Sequence, residues 1–148
     1  MKTNKIKTVY WHHISEGDTL FELSNLSKLR LDRAEPALQQ LFNEVAKKFD
    51  CSIICSHRGE AEQEKAYKNH KSKLQFPHSK HNSLPSKAVD VLPFPVDWKD
   101  TERMRELAVV VLETAKELNI KIRWGGDWDM DGDISDNKFN DLAHYELV

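Results

Sequence analysis

The chain has 148 residues, 22 basic and 24 acidic, with a formal net charge of -2 and a pI near 6.4. This length fits one domain, which we expect to span residues 1-148, to carry its chemical motifs within 51-148 and to act as a monomer. The balanced charge argues against a nucleic-acid partner bound mainly through phosphates, and the lack of a long apolar run argues against membrane insertion.

The N-terminal residues do not have the pattern of a secretory signal. Lys2, Lys5 and Lys7 precede Tyr10-Trp11-His12-His13 instead of an apolar stretch. We therefore expect synthesis as a soluble cytoplasmic protein without a signal peptide.

The part of the chain before residue 70 predicts two helices separated by a strand. Apolar residues recur at helical spacing between Pro36 and Phe49, and a proline is well tolerated in the first turn of a helix. Cys51–Cys55 is β-prone, and the charged stretch Glu60–Asn69 predicts a second helix. Arg58 is therefore expected at the end of a strand.

The second half predicts short strands around one long helix. Prolines exclude a long helix from Lys71 to Pro95, where Ala88–Leu92 is a short β-like run. Apolar residues at steps of three and four predict a helix over Asp100–Leu118. Ile120–Trp124 alternates as a strand does, and the last five residues can form a terminal strand. We expect an α+β fold in which a small antiparallel sheet packs against helices, with a metal site between sheet and loops.

Two cysteines, Cys51 and Cys55, lie in the first predicted strand. Residues four apart in an extended chain are too distant for an easy disulfide, so we expect two reduced thiols in or near the core. The alternative is a cysteine-based zinc site with a nearby histidine such as His57, although a second paired cysteine motif is missing.

Three residues of zinc-binding type are divided between the middle and the end of the chain: His81, Asp90 and His144. Two imidazole nitrogens and one carboxylate oxygen suit zinc and leave one position open for water, as in zinc hydrolases. His81 and Asp90 are nine positions apart across a loop with a proline, so they cannot share a helical face but could converge from a loop and the following strand. In the alternative interpretation each is an ordinary surface residue.

Two further residues have chemistry that would complete a hydrolytic site. Asp141 lies three positions before His144, and its carboxylate can accept a proton from water and return it to a leaving amine. Arg58 can stabilise the oxyanion formed when water adds to an amide carbonyl, because its guanidinium stays charged. Alternatively, Asp141 is a turn former and Arg58 a surface ion-pair partner.

The segment before Asp141 imitates the first part of an EF-hand calcium loop, because acidic residues alternate and a glycine follows the third one: Asp127, Asp129, Asp131, Gly132 and Asp133. The twelfth position is Lys138, where that loop requires glutamate, and flanking helices are not predicted. Three interpretations stay open: a calcium or other hard-cation site, a solvated acidic turn, and a substrate-facing loop.

Three segments together resemble the superfamily of zinc D-Ala-D-Ala carboxypeptidases and L-alanyl-D-glutamate peptidases, particularly its small phage endolysins. The segments are Ser56–Gln63, Ser79–Asp90 and Asp141–Leu147. They are spread over residues 51 to 148 and are specific as a set, although each is weak alone. The interval from His81 to Asp90 is slightly longer than in many relatives.

The resemblance implies zinc ligands at His81, Asp90 and His144, an acidic catalyst at Asp141 and a transition-state-stabilising arginine at Arg58. The acidic residue before the last histidine is aspartate, which favours the endopeptidase branch. The implied substrate is the stem peptide of bacterial peptidoglycan, cleaved between L-alanine and D-glutamate. A phage lytic role is implied as well, with synthesis in the host cytoplasm and release to the wall or periplasm by a separate membrane-disrupting protein.

Two other functions stay open from the sequence. A D-alanyl-D-alanine carboxypeptidase would use the same metal chemistry, and a noncatalytic wall-binding or phage structural module would keep zinc only for folding. Ser79 either orients a ligand or substrate or caps a turn, and no role is assigned to His57 or His78.

Overall fold

A computed structural model describes residues 21–132 and 141–148 of the chain. Its sheet contains four antiparallel strands, β1 (Cys51–Cys55), β2 (Ala88–Pro93), β3 (Ile122–Trp124) and β4 (His144–Leu147), in the spatial order β1-β2-β4-β3. The expected α+β fold with a small antiparallel sheet is confirmed. Within the described residues, no helix is long and apolar enough to cross a membrane.

Among the described residues, four α-helices accompany the sheet: α1 (Asn25–Leu31), α2 (Pro36–Lys48), α3 (Glu60–Lys68) and α4 (Thr101–Glu117). Three of them lie within a residue or two of the predicted ranges. Helix α1 is an addition to the sequence prediction, and it begins where the Ser24 hydroxyl accepts a hydrogen bond from the Ser27 amide at 3.1 Å.

The predicted strand Ile120–Trp124 is shorter in the structure because its first residues complete the end of α4. Asn119 adopts a φ of 58°, the left-handed conformation that often ends a helix. The Ile120 amide then donates to the Ala115 carbonyl at 2.9 Å. Ile120 therefore closes the helix, and β3 starts at Ile122.

The main hydrophobic core lies between the sheet and the pair of helices α2 and α4. Phe42 of α2 packs edge-on against Tyr145 of β4, with ring centroids 5.5 Å apart. Val89 and Val91 of β2 are buried in the same core. Asp90 lies between these valines, so the alternation of a strand directs its side chain to the opposite side of the sheet. The functional groups therefore project from a rigid, buried support.

Neither cysteine forms a disulfide, as expected. Cys51 is buried in the core, whereas Cys55 is half-buried at the end of β1. The pairing of β1 with β2 shifts between Ile53 and Cys55, so that Cys55 lies opposite Asp90. A local irregularity of the sheet thus brings one thiol to the edge of the candidate site.

Candidate metal centre

The sheet and one short helical turn bring His81, Asp90 and His144 together. Asp90 and His144 are direct partners in the pairing of β2 with β4. His81 belongs to a 3-10 helix, Lys80–Asn82, whose first amide groups are capped by the Ser79 side chain. The structure therefore supports the capping interpretation of Ser79, which also lines the groove described below.

The three candidate ligand atoms are separated by the distances that a tetrahedral ion requires. His81 Nε2 lies 3.2 Å from His144 Nδ1 and 3.3 Å from Asp90 Oδ1, and His144 Nδ1 lies 3.4 Å from that same oxygen. Ligands about 2.1 Å from zinc at tetrahedral angles lie about 3.4 Å apart. In the part of the chain that the structure describes, Asp90 Oδ1 is buried without a hydrogen-bond partner, as expected for an atom that a cation would satisfy.

The far nitrogen of each imidazole is also occupied, which fixes the orientation of both rings. His81 Nδ1 lies 2.6 Å from the Ser56 carbonyl oxygen, and His144 Nε2 lies 2.8 Å from Glu146 Oε1. Carbonyl and carboxylate acceptors at these positions hold the proton on the outer nitrogen and leave the inner one free for a metal.

Glu146 is a functional residue that the sequence reasoning left without a role. It lies two positions after His144 in β4, so both side chains project from the same face of the strand. Its second oxygen contacts Lys80 Nζ at 3.2 Å and Arg123 Nη1 at 3.3 Å. Although burial raises the pKa of Glu146, its partners His144 and Lys80 lower it to about 2. The strand alternation was the sequence signal that could have identified it.

The site concentrates charge in a way that suits a cation. Burial alone lowers the pKa of His81, but the carboxylate of Asp90, helped by Cys55, raises it to about 10. The pKa of His144 is raised against the effect of burial by Asp90 and Glu146. Burial alone would raise the pKa of Asp90, yet the two imidazoles hold that pKa well below the usual range. The carboxylate therefore attracts two protons that a metal ion can replace.

Cys55 lies near this cluster but with different partners from those anticipated. Its sulfur, one His81 nitrogen and one Asp90 oxygen lie within 4.8 Å of one another. His57, the histidine proposed for a cysteine-based site, instead places its Nδ1 3.0 Å from the Ser83 carbonyl oxygen. The structure thus associates Cys55 with the His-Asp-His group.

Asp141 lies beside the same ligand atoms, in a tight turn before β4. One of its carboxylate oxygens lies within 4.8 Å of ligand atoms of Asp90 and His144. Its amide donates to the Gly125 carbonyl at 2.9 Å, and its carbonyl accepts from the His144 amide at 3.0 Å. A Cβ on Gly125 would lie 2.1 Å from the Asp141 carbonyl oxygen, so only glycine permits this approach. Burial and the Asp90 charge raise the pKa of Asp141.

Arg58 reaches the site from the segment that connects β1 to α3. Its Nη2 lies 3.5 Å from Asp90 Oδ2, and its Nη1 donates to Gln63 Oε1 at 2.9 Å. The Arg58 amide donates to the His81 carbonyl at 2.7 Å. Both the backbone and the side chain of Arg58 are therefore held against the ligand cluster.

The long interval between His81 and Asp90 forms a closed loop. The Lys87 amide donates to the Lys80 carbonyl at 3.0 Å, and Ser86 is fully buried. Ser86 also exchanges backbone hydrogen bonds with Arg33 and Glu35, in the connection between α1 and α2. The N-terminal helices thus anchor the loop that carries His81, a contact between distant segments that motif spacing cannot reveal.

A groove of about 710 Å³ opens over the cluster. The five residues Arg58, His81, Asp90, Asp141 and His144 all line it. One wall is the segment 70–74, and exposed aromatic surface comes from Trp98. His78 lines the groove as well. Trp128 stacks over His144, with ring centroids 5.3 Å apart. The groove can accept an extended peptide alongside the ligand cluster.

The acidic segment forms a second group of oxygen atoms. Carboxylate oxygens of Asp127, Asp129 and Asp131 lie within 4.8 Å of one another. Asp127 accepts hydrogen bonds from the amides of Asp131 at 3.3 Å and Gly132 at 2.8 Å. Partial desolvation and the two acidic neighbours raise the pKa of Asp129. The other two positions of the calcium hypothesis, Asp133 and Lys138, lie outside the described residues.

Comparisons with known proteins agree with this architecture. The family model described as phage L-alanyl-D-glutamate peptidase matches residues 19–148. The L-alanyl-D-glutamate peptidase of Escherichia phage T5 is 29% identical over 136 residues, which cover 86% of this chain and 98% of that protein. The crystal structure of the Serratia marcescens L-Ala D-Glu endopeptidase ChiX matches with a TM-score of 0.69 and 24% identity. That match covers 90% of this chain and 96% of the other, and it shows a common fold.

Proposed function

Because this chain belongs to the phage L-alanyl-D-glutamate peptidase family, we propose that it hydrolyses the bond between L-alanine and D-glutamate in peptidoglycan stem peptides and requires zinc to do so. The observation that carries the zinc proposal is the separation of 3.2 to 3.4 Å among the ligand atoms of His81, Asp90 and His144. In this proposal these three residues, which line the groove, would hold the ion.

A zinc ion in this position supplies Lewis-acid polarisation of a water molecule and of the scissile carbonyl. Asp141 takes the proton from the attacking water and holds it until the amine leaves. Arg58 donates hydrogen bonds to the oxyanion that develops on the carbonyl oxygen. Asp141 then returns the proton to the departing amine of D-glutamate, which completes hydrolysis.

The biological setting that we propose follows from family membership. The enzyme acts as a single-domain monomer on the bacterial wall after synthesis in the host cytoplasm. The shared groove for metal and peptide supports one catalytic unit within the described residues.

The proposed reaction is tested by digesting purified peptidoglycan and identifying the fragments by mass spectrometry. We expect fragments that begin with D-glutamate, and we expect a zinc chelator to abolish them. Release of free D-alanine would instead identify a carboxypeptidase. Wall solubilisation that continues at the same rate in zinc-free protein would contradict the metal assignment.

The role of Asp141 is tested with Asp141→Asn, using the exposed Asp32→Asn as the matched control. We expect the Asp141 variant to keep its fold and zinc content and to lose at least about 10²-fold in kcat, within the usual range for acid-base residues. The control should retain wild-type activity. Wall lysis by a folded, zinc-loaded Asp141→Asn protein at the wild-type rate would show that Asp141 is not the general base.

We also propose that the acidic group of Asp127, Asp129 and Asp131 binds calcium. Oxygen ligands at alternating positions suit this ion, and Asp127 already organises the turn through two backbone amides. Added calcium should raise the melting temperature or the activity, and the double variant Asp129→Ala/Asp131→Ala should remove the response. Absence of any response in the parent protein would end this proposal.

A further inference from the structure

A glutamine outside the metal cluster occupies the junction between three parts of the site. Gln63 lies on α3 and is fully buried, with 0% of its surface exposed. Its side-chain oxygen accepts hydrogen bonds from Arg58 Nη1 at 2.9 Å and Asn82 Nδ2 at 3.2 Å. Its side-chain nitrogen donates to the Leu74 carbonyl at 2.6 Å and to the Ser72 hydroxyl at 2.9 Å.

These four bonds use every donor and acceptor that a glutamine amide offers, so its orientation is determined. A flipped amide would direct its NH2 group at the donors of Arg58 and Asn82, and its oxygen at the Leu74 carbonyl. Both ends of the flipped amide would then lack hydrogen-bond partners, at a substantial cost in stability. Gln63 therefore has one orientation compatible with its surroundings.

The four partners of Gln63 belong to three parts of the site. Arg58 is the proposed oxyanion-stabilising group, Asn82 lies next to His81 in the 3-10 helix, and the segment 72–74 is a wall of the groove. The bond from Arg58 to Gln63 is also shorter than the 3.5 Å contact of Arg58 with Asp90. Gln63 is thus the closer of the two side chains that orient the guanidinium.

The chemistry of an amide explains why glutamine suits this position. A carboxylate at residue 63 would also orient Arg58, but its negative charge would offset the positive charge that an oxyanion needs. It would also have no donor for Leu74 or Ser72. A neutral amide orients the arginine without neutralising it, and it fixes the groove wall with its other end.

We propose that Gln63 is a positioning residue that holds Arg58 in its catalytic orientation and joins it to the groove wall. The proposal rests on the proposed function, in which Arg58 stabilises the oxyanion. Because the groove wall and the arginine share one buried amide, loss of Gln63 should impair both transition-state stabilisation and peptide binding. Gln63 should affect kcat only by orienting the Arg58 guanidinium.

The test compares Gln63→Met with the matched control Gln39→Met. Gln39 lies on α2, does not line the groove, and donates a hydrogen bond to the Ala34 carbonyl at 2.9 Å. Initial rates are measured as new amino groups released from soluble muropeptides by zinc-loaded protein. We expect Gln63→Met to lower kcat about tenfold, a fraction of the loss caused by misplacing a catalytic group by about 1 Å, and to raise KM. The Gln39 variant should keep the wild-type kcat.

The decisive measurement repeats the substitution in an Arg58→Ala background. If Gln63 acts through Arg58, Gln63→Met should change the remaining kcat by less than about twofold there, because coupled residues are not additive. Gln63→Asn provides a second variant that retains a buried amide and is one methylene shorter. We expect it to lower kcat severalfold with Arg58 present and to have little effect without it.

Two results would overturn the positioning role. One is a kcat within about twofold of wild type for folded, zinc-loaded Gln63→Asn or Gln63→Met. The other is the same fractional loss of kcat with and without Arg58, which a purely structural role would produce. Since total amino groups are counted whichever bond is cut, a wrong bond assignment would appear separately, as new N-termini other than D-glutamate. A wild-type protein that releases no amino groups would overturn both proposals.

Discussion

The substitution Glu146→Gln should weaken zinc binding although it changes none of the three proposed ligands. One oxygen of Glu146 accepts a hydrogen bond from His144 at 2.8 Å, and the other faces the cations of Lys80 and Arg123 at 3.2 and 3.3 Å. The carboxylate serves both sides because it accepts on both oxygens. An amide has one accepting end and one donating end.

In Glu146→Gln, the amide oxygen should turn toward Lys80 and Arg123, since an NH2 group facing two cations would be repelled. The NH2 group would then face His144 Nε2 and favour the tautomer with its proton on Nδ1, the atom proposed to bind zinc. Loss of such a supporting carboxylate typically weakens metal affinity 10- to 100-fold. That range corresponds to about 1.4 to 2.7 kcal/mol of binding free energy.

The zinc dissociation constant can be measured by competition with a chromophoric chelator. The exposed Glu102→Gln, at the first turn of α4, is the matched control and should bind zinc as the parent does. Circular dichroism should confirm that both variants are folded. An unchanged zinc affinity for Glu146→Gln would refute the argument that Glu146 selects the tautomer of His144.

Three further substitutions probe separate parts of the account. Gly125→Ala should lower kcat at least about tenfold, since its Cβ would displace the Asp141 backbone, and full activity would show that this turn tolerates movement. Arg58→Lys should lower kcat about 10²-fold at unchanged zinc content because the forked donor is lost, and wild-type kcat would exclude a specific guanidinium role. Tyr145→Phe should raise the free energy of unfolding by about 1 kcal/mol in urea titrations, because the buried Tyr145 hydroxyl has no hydrogen-bond partner among the described residues, whereas a loss of stability would contradict this.

Local sequence patterns were sufficient for most of the fold. The helices α2, α3 and α4 have strong apolar periodicity or clear boundary residues, and their predicted ranges agree closely with the structure. Ile120 was wrongly assigned to a strand because its alternation continues that of Ile122 and Trp124, whereas its amide is used to close α4. Local alternation does not reveal which carbonyl an amide will reach.

Only part of the candidate site was predictable, because local patterns do not show which distant segments of the chain meet. Strand alternation places Asp90 and His144 on one side of the sheet, but only the pairing of β2 with β4 makes them direct neighbours. The contacts of Ser86 with the α1–α2 connection, and the four hydrogen bonds of Gln63, join segments far apart in the chain. Such contacts depend on the tertiary arrangement and leave no periodic trace in the sequence.

The central claim, that His81, Asp90 and His144 hold the zinc ion needed to cleave the L-Ala–D-Glu bond, is tested most directly by metal titration. Metal-free protein is mixed with increasing zinc, and D-glutamate N-termini released from peptidoglycan are counted at each point. We expect a linear rise that ends at one equivalent of zinc, and no such rise for His81→Ala over the same range. Full release of D-glutamate N-termini by the metal-free protein would contradict the zinc assignment.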